Sequence, residues 1–230
     1  MTKKILSIIT ARGGSKGLKR KNVVDLAGKP LIAWTIEASL DSKYITKTIV
    51  SSDDKEALDI SKEYGANVVR RPDDLSSDSA TSESVIKHTI DYLESMGEMF
   101  DIVILLQPTS PLRNSKDIDS AFEIMFNSDA TAVISTSEFD NKILKTFIET
   151  PDGFLKGVSN NEYPFIRRQD LPVVYMSNGA IYIIDVNIFN KNLSLITDRT
   201  VPYLMPANKS FDVDSESDLL SIERLIKSNL

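Results

Sequence analysis

The residues from Ala11 to Asn22 hold the densest chemistry in this sequence. Arg12, Lys16, Lys19, Arg20 and Lys21 share one loop with Gly13, Gly14 and Gly17. The first acidic residue of the chain is Asp25, yet the whole carries a formal charge of -6, so the loop is a positive island in an acidic protein. Backbone N–H groups in a glycine-rich turn form an anion-binding concavity, and glycine lets the backbone approach a ligand closely. A polyphosphate is the simplest ligand for such a loop. Neither of the two common nucleotide motifs accounts for it. A Walker A loop needs a Gly-Lys pair followed by Ser or Thr, whereas here Lys16 precedes Gly17 and Leu18 follows. A dinucleotide fingerprint needs glycines at its first, third and sixth positions, and Gly13, Gly14 and Gly17 do not have that spacing.

Further along lie Arg70-Arg71-Pro72, the string Gln107-Pro108-Thr109-Ser110-Pro111-Leu112-Arg113, and the pair Asp212 and Asp214. In an extended segment, residues two apart point to one face. Two carboxylates so placed suit Mg²⁺, which takes oxygen ligands and keeps waters and substrate phosphates. Asp214, followed by Ser215, Glu216 and Ser217, reads equally as a helix start. Asp78 and Thr81 read as caps of a following helix. Lys19 and Arg20 read as a solvated turn, His88 as an ordinary helix-face residue and Trp34 as core. There is no cysteine, which removes thiolate and disulfide chemistry and fits a cytoplasmic setting.

Alternating elements position these groups. Strands are expected at Lys4–Thr10, Thr46–Val50, Ala66–Val69, Asp101–Leu106, Ala132–Thr136, Ala180–Ile184 and Val201–Met205. Helices are expected at Pro30–Leu40, Asp54–Tyr64, Thr81–Met96, Ser115–Asn127 and Ser215–Ser228. Such alternation predicts an α/β fold with a mostly parallel sheet covered by helices. Ligands of open α/β sheets bind beyond the carboxyl ends of the strands, where the Arg12, Arg71 and Gln107 segments fall. Phe139–Asp170 breaks the pattern with Pro151, Gly153, Gly157 and Pro164, and reads either as surface loops or as a dimerisation element. With 230 residues, 41% hydrophobic and 26% charged, the chain suits one domain. Its acidic balance argues against a nucleic-acid or membrane-surface partner. No apolar run approaches the ~18 residues of a membrane span, and no signal-peptide pattern follows the basic N-terminus.

Arg12-Gly13-Gly14-Ser15-Lys16-Gly17 with Lys21-Asn22, Gly28-Lys29-Pro30-Leu31, Arg71-Pro72, Leu75…Asp78…Ser82, Leu105 to Arg113, Arg168-Gln169, Asn178-Gly179-Ala180-Ile181-Tyr182 and Asp212-Val213-Asp214 form an ordered set across nearly the whole chain. In that set the sequence resembles the N-acylneuraminate cytidylyltransferases, in the short bacterial form without an extra hydrolase domain. The resemblance implies a three-layer α/β/α fold like that of nucleotide-diphospho-sugar transferases, in a single domain over residues 1–230 with a dimerisation excursion at about 139–170. It implies a cytoplasmic homodimer that uses Mg²⁺, or Mn²⁺, to join CTP to a nine-carbon 2-keto sugar acid, releasing pyrophosphate.

By the same resemblance, Arg12, Gly14, Ser15, Lys16 and Lys21 meet the CTP phosphates, and Asn22, Arg71, Ala80 and Ser82 meet the nucleoside. Gln107, Lys145, Arg168 and Asn178 meet the sugar, with Lys145 and Arg168 reaching across the dimer; Asn178 reads as well as a plain Asn-Gly turn. Asp212 and Asp214 hold the metal. Lys21, Arg12, Gln107 and Asp214 form the catalytic set. Legionaminic or pseudaminic acid is the alternative sugar, the eight-carbon acid of lipopolysaccharide fits least, and a non-catalytic nucleotide sensor is the reading from another class.

Overall fold

The computed structural model describes residues 3–14, 17–77 and 79–228. Its centre is a seven-stranded sheet: β1 (Ile5–Thr10), β2 (Lys47–Ser52), β3 (Asn67–Arg70), β4 (Ile102–Leu106), β5 (Ala132–Phe139), β6 (Val174–Asp185) and β7 (Thr200–Leu204). The strand order is β7-β5-β6-β4-β1-β2-β3. Only β6 runs against its neighbours; the β1–β2, β1–β4, β2–β3 and β5–β7 pairs are parallel. All five residues of β4 are buried, as a strand covered on both faces requires.

Helices α1 (Leu31–Leu40), α2 (Lys55–Glu63), α3 (Ser82–Ser95), α4 (Ser115–Phe126), α5 (Val186–Asn192) and α6 (Glu216–Ser228) complete the fold. One core sets Ile32 and Ile36 of α1 and Ile118 and Phe122 of α4 against Ile9, Ile104 and Leu106. On the opposite face Ile86, Ile90 and Leu93 of α3 and Phe189 of α5 pack on Leu6, Ile8, Val103 and Leu105. That is the three-layer arrangement expected. Each such buried Ile, Leu or Phe contributes roughly 1.5–3 kcal/mol. A third cluster, of Leu26, Leu31, Val213, Ile222 and Ile226, anchors α6 beside the loop after β1.

Local chemistry explains the boundaries. Asp54 caps α2 by accepting from Glu56 N at 2.9 Å. Thr81 caps α3 by accepting from Ser84 N at 3.2 Å, as its sequence position suggested; Asp78 lies outside the described residues. Asn114 and Asp117 exchange side-chain bonds at the start of α4, a capping box.

Two elements depart from expectation. The strand expected from Ala180 begins at Val174, and its pairing with β5 shifts register between Ser177 and Tyr182. Asn178-Gly179, with Gly179 at φ 77°, is therefore a bulge inside a strand rather than a turn before one. Helix α5 was not anticipated; Asp185 caps it through Asn187 N and Ile188 N. Residues 140–170 leave the main layers as 3₁₀ turns and one antiparallel hairpin, Phe147–Glu149 with Leu155–Gly157, while Phe139 still pairs with Val174 in the central sheet. No helix among the described residues is long and apolar enough to cross a membrane.

Candidate active site

One cleft, of about 380 Å³, opens at the carboxyl ends of β1, β3 and β4. Thr10 and Arg12 follow β1, Arg71 follows β3, and Gln107, Pro108 and Thr109 follow β4. Lys21 and Asn22 enter from the turn of 3₁₀ helix after the glycine loop, Ala80 and Ser82 from the start of α3, and Asp212 and Asp214 from the segment before α6. The structure thus brings nine of the anticipated residues to one place. Ser15 and Lys16 lie outside the described residues. Gly14 is exposed and does not line the cleft.

The loop is pinned from behind. Ala11 N donates to Ser51 O at 3.0 Å, Gly13 N donates to Asp53 Oδ1 at 2.9 Å, and Asn22 Nδ2 donates to the Arg12 carbonyl at 2.8 Å. A Cβ placed on Gly17 would lie 2.3 Å from the Asp214 carbonyl oxygen. Only glycine lets the loop and the acidic segment approach so closely. Lys19 and Arg20 are exposed and do not line the cleft, and Arg20 pairs with Glu56.

Lys21 Nζ donates to Asp214 Oδ1 at 2.9 Å. Asp214 is released for this contact because another residue does the capping. Ser215 N donates to Asp218 Oδ2 at 2.8 Å and Asp218 N returns a bond to Ser215 Oγ at 3.3 Å. The helix-start reading therefore belongs to Ser215 and Asp218, while Asp214 faces the cleft. Between the two acids Val213 is buried, and its N–H donates to Thr109 O at 2.8 Å, which turns both carboxylates to the same side. Residue 212 as a whole is exposed, yet burial of its carboxyl raises the pKa from the ordinary value. The Asp214 charge adds to that rise, and a Thr109 hydrogen bond and Lys21 oppose it.

Two like charges on one face are a donor set for a hard cation completed by water and phosphate oxygens, while the neighbouring Asp218 carboxylate is taken up by the N–H groups of Asp214 and Ser215. The residues present fit Mg²⁺ on that ground.

Arg71 is buried. Nη2 donates to Ser51 O at 2.8 Å and Nη1 to Leu75 O at 3.5 Å. Burial lowers its pKa, Asp53 opposes the fall, and Arg12 adds to it. One edge of the guanidinium is thus structural while the residue still lines the cleft.

A second cleft, of about 270 Å³, shares Ser82 and Gln107 with the first and adds Ile134, Tyr182, Leu195 and Ile196. Sequence reading named Tyr182 only within the Asn178–Tyr182 motif and gave Ile134, Leu195 and Ile196 no site role; the loop after α5 reaches the site only through the sheet order. Gln107 lies where the clefts meet, close enough to Gly179 that a Cβ there would lie 2.7 Å from Gln107 Oε1.

Three anticipated residues lie elsewhere in the single chain. Lys145 Nζ donates to Pro164 O at 3.1 Å, and Arg168 pairs with Asp140 at 3.4 Å, both in the excursion. Asn178 is occupied by the bulge, where Oδ1 accepts from Ser135 Oγ at 2.6 Å and Nδ2 donates to Ser210 Oγ at 3.0 Å. It lines neither cleft.

The chain is similar in sequence and fold to known proteins. A family model described as cytidylyltransferase matches residues 6–229. The pseudaminic acid cytidylyltransferase of Campylobacter jejuni is 32% identical over 227 residues, covering 98% of this chain and 97% of that protein. The N-acylneuraminate cytidylyltransferase of Streptococcus agalactiae serotype III is 37% identical over 229 residues, covering 95% of this chain and 52% of that protein, so this chain spans about half its length. Among solved structures, a CMP:2-keto-3-deoxy-manno-octonic acid synthetase complexed with CTP superposes with a TM-score of 0.72 at 17% identity, covering 99% of this chain and 100% of that one. That likeness is one of fold.

Proposed function

The chain belongs to the cytidylyltransferase family, and on that premise we propose that it joins CTP to a nine-carbon 2-keto sugar acid, N-acetylneuraminate or a close analogue. The products are the CMP-sugar and pyrophosphate. The observation that carries this reading is the single cleft in which Arg12, Lys21 and Arg71 face Asp212 and Asp214, with Gln107 at the mouth of a second cleft.

The sugar's anomeric hydroxyl attacks the α-phosphorus, its proton passes to water beside Asp214, and the bond to pyrophosphate breaks. Nucleotidyl transfer asks the protein for charge and alignment more than covalent chemistry, which suits a chain with no cysteine and one histidine. Arg12 and Lys21, with Lys16 of the same loop, neutralise the triphosphate, and Ser15 adds a neutral hydrogen-bond donor; Gly14, outside the cleft, takes no part. Lys21 exchanges Asp214 for phosphate oxygens and stabilises the charge that builds as pyrophosphate leaves. Asn22, Arg71, Ala80 and Ser82 hold cytosine and ribose. Gln107, a neutral amide, orients the hydroxyl or carboxylate of the sugar acid. Asp212 and Asp214 would hold Mg²⁺, or Mn²⁺, which when bound supplies positive charge to the phosphates and acidifies the attacking hydroxyl.

The sugar body occupies the second cleft, against Tyr182, Leu195 and Ile196. Phe147, Phe154, Leu155 and Phe165 of the excursion are exposed apolar side chains, which supports a homodimer formed through residues 139–170. Lys145 and Arg168 then serve the partner's sugar acid. The reaction belongs in the cytoplasm, where CTP is made.

A second reading of the sugar, pseudaminic acid, is favoured by the end-to-end match to the Campylobacter jejuni protein, and legionaminic acid is the further alternative. Pyrophosphate release with CTP, Mg²⁺ and a panel of nonulosonic acids tests the proposal. Folded protein that turns over none of them refutes it, and nucleotide binding without turnover points to a sensor.

A further inference from the structure

We propose that Arg113, which lines neither cleft, is a positioning residue that fixes Gln107 for the sugar acid. The inference rests on the sugar-acid reading of Gln107.

Arg113 is one of the largest fully buried side chains in the protein, 1% exposed. Among the described residues no carboxylate lies within ion-pair range of it. The nearest candidate, Asp117, is engaged by Lys209 Nζ at 3.0 Å and Tyr203 OH at 3.0 Å. A buried cation without an ion pair is expensive, and burial holds the guanidinium pKa down to about 10, Asp117 opposing the fall. Filling space needs no such group.

What the cation does is visible in its bonds. Nε donates to Ala180 O at 3.3 Å, and Nη2 donates to Thr35 Oγ1 at 2.7 Å, to Gln107 O at 3.3 Å and to Ser110 O at 3.3 Å. The guanidinium therefore grips the backbone of Gln107 on one side. On the other it grips Ala180, next to Gly179, the position where a Cβ would lie 2.7 Å from Gln107 Oε1. Thr35 moors the assembly to α1. A planar fork can hold several carbonyls in fixed directions, and an ammonium cannot. Positioning matters here because a displacement of about 1 Å at a substrate contact can cost ~100-fold in rate.

The test is a double-mutant cycle of Arg113→Lys with Gln107→Ala. Arg113→Lys is expected to lower kcat/KM for the sugar acid by about 10-fold or more, while the CTP dissociation constant, by calorimetry, moves less than about twofold. In the Gln107→Ala background the same change should add nothing, because the group it positions is gone. Additive losses, or a parallel loss of CTP affinity, overturn the inference. Should Arg113→Lys fail to fold, Thr35→Val removes the 2.7 Å mooring and carries the same cycle, with an expected loss of about threefold; additivity there is equally fatal. Wild-type protein inert toward every sugar acid defeats the underlying reading, whereas active wild type with an indifferent Arg113→Lys defeats only this inference.

Discussion

Gly17→Ala tests the joint between the phosphate loop and the acidic segment. The added Cβ would sit 2.3 Å from the Asp214 carbonyl oxygen, where real Cβ atoms essentially never come closer than 3.0 Å. The two must part by at least about 0.7 Å, and the obstacle is backbone, which cannot rotate away. Whichever side yields, the distance between Lys21 on the loop and Asp214 changes, and with it the frame that aligns the triphosphate. A misplacement of that order is worth about 10- to 100-fold in kcat. Gly17 is exposed and lies outside the packed layers, so the fold loses only roughly 1–2 kcal/mol. Pyrophosphate release, CTP calorimetry and thermal melting separate the two effects: activity falls steeply while Tm moves by a few degrees. Full activity with unchanged CTP affinity would show that the loop and the acidic segment act independently, and the reasoning from their close approach would fail.

Other perturbations bear on other parts of the account. Lys21→Met should lower kcat by ~100- to 1,000-fold, measured by pyrophosphate release at saturating CTP. Asp212→Asn should lower activity by a similar factor while raising Tm in metal-free buffer at neutral pH. The sign follows from its raised pKa: the folded state binds the proton more tightly, so stability falls as pH rises from the ordinary 3.8 through the raised value, and the amide escapes that loss. Asp218 has the opposite sign. Its bonds from Ser215 and from Asp214 N lower its pKa, so its stabilisation of α6 is complete above the ordinary 3.8 and disappears only as pH falls through the lowered value, which acid melting of Asp218→Asn against wild type reads out. Phe165→Asp, at a side chain 81% exposed, should convert a dimer to a monomer in light scattering and weaken sugar-acid turnover more than CTP binding.

The frame of the site was legible because buried parallel strands announce themselves. Ile102–Leu106 is a continuous apolar run and Ile5–Ile9 is broken only by Ser7, since both faces are covered, and the residues after such strands fall at one end of the sheet. That is why Arg12, Arg71 and Gln107 were expected together and are found lining one cleft. The acidic pair was legible only as an ambiguity. Its resolution depends on the reciprocal Ser215–Asp218 bonds, which two competing cap patterns in one sequence do not decide. The first half of β6 was missed because Tyr175, Met176 and Ser177 are exposed and carry no burial pattern. Helix α5, at seven residues, is too short to show a period. Leu195 and Ile196 join the site through a loop whose position depends on strand β6 running antiparallel beside β4, a tertiary fact without a local signal. Arg113 reads in sequence as a mainly structural residue of a loop fixed by two prolines, and its burial and four acceptors show which groups it holds.

The central claim is tested most directly by incubating the purified protein with CTP, Mg²⁺ and each of N-acetylneuraminic, legionaminic and pseudaminic acids, then measuring product mass alongside pyrophosphate. The account predicts stoichiometric pyrophosphate and a CMP adduct of at least one of these acids, lost in Lys21→Met. Pyrophosphate without a CMP-sugar, or no reaction with any of the three in folded protein, would contradict it.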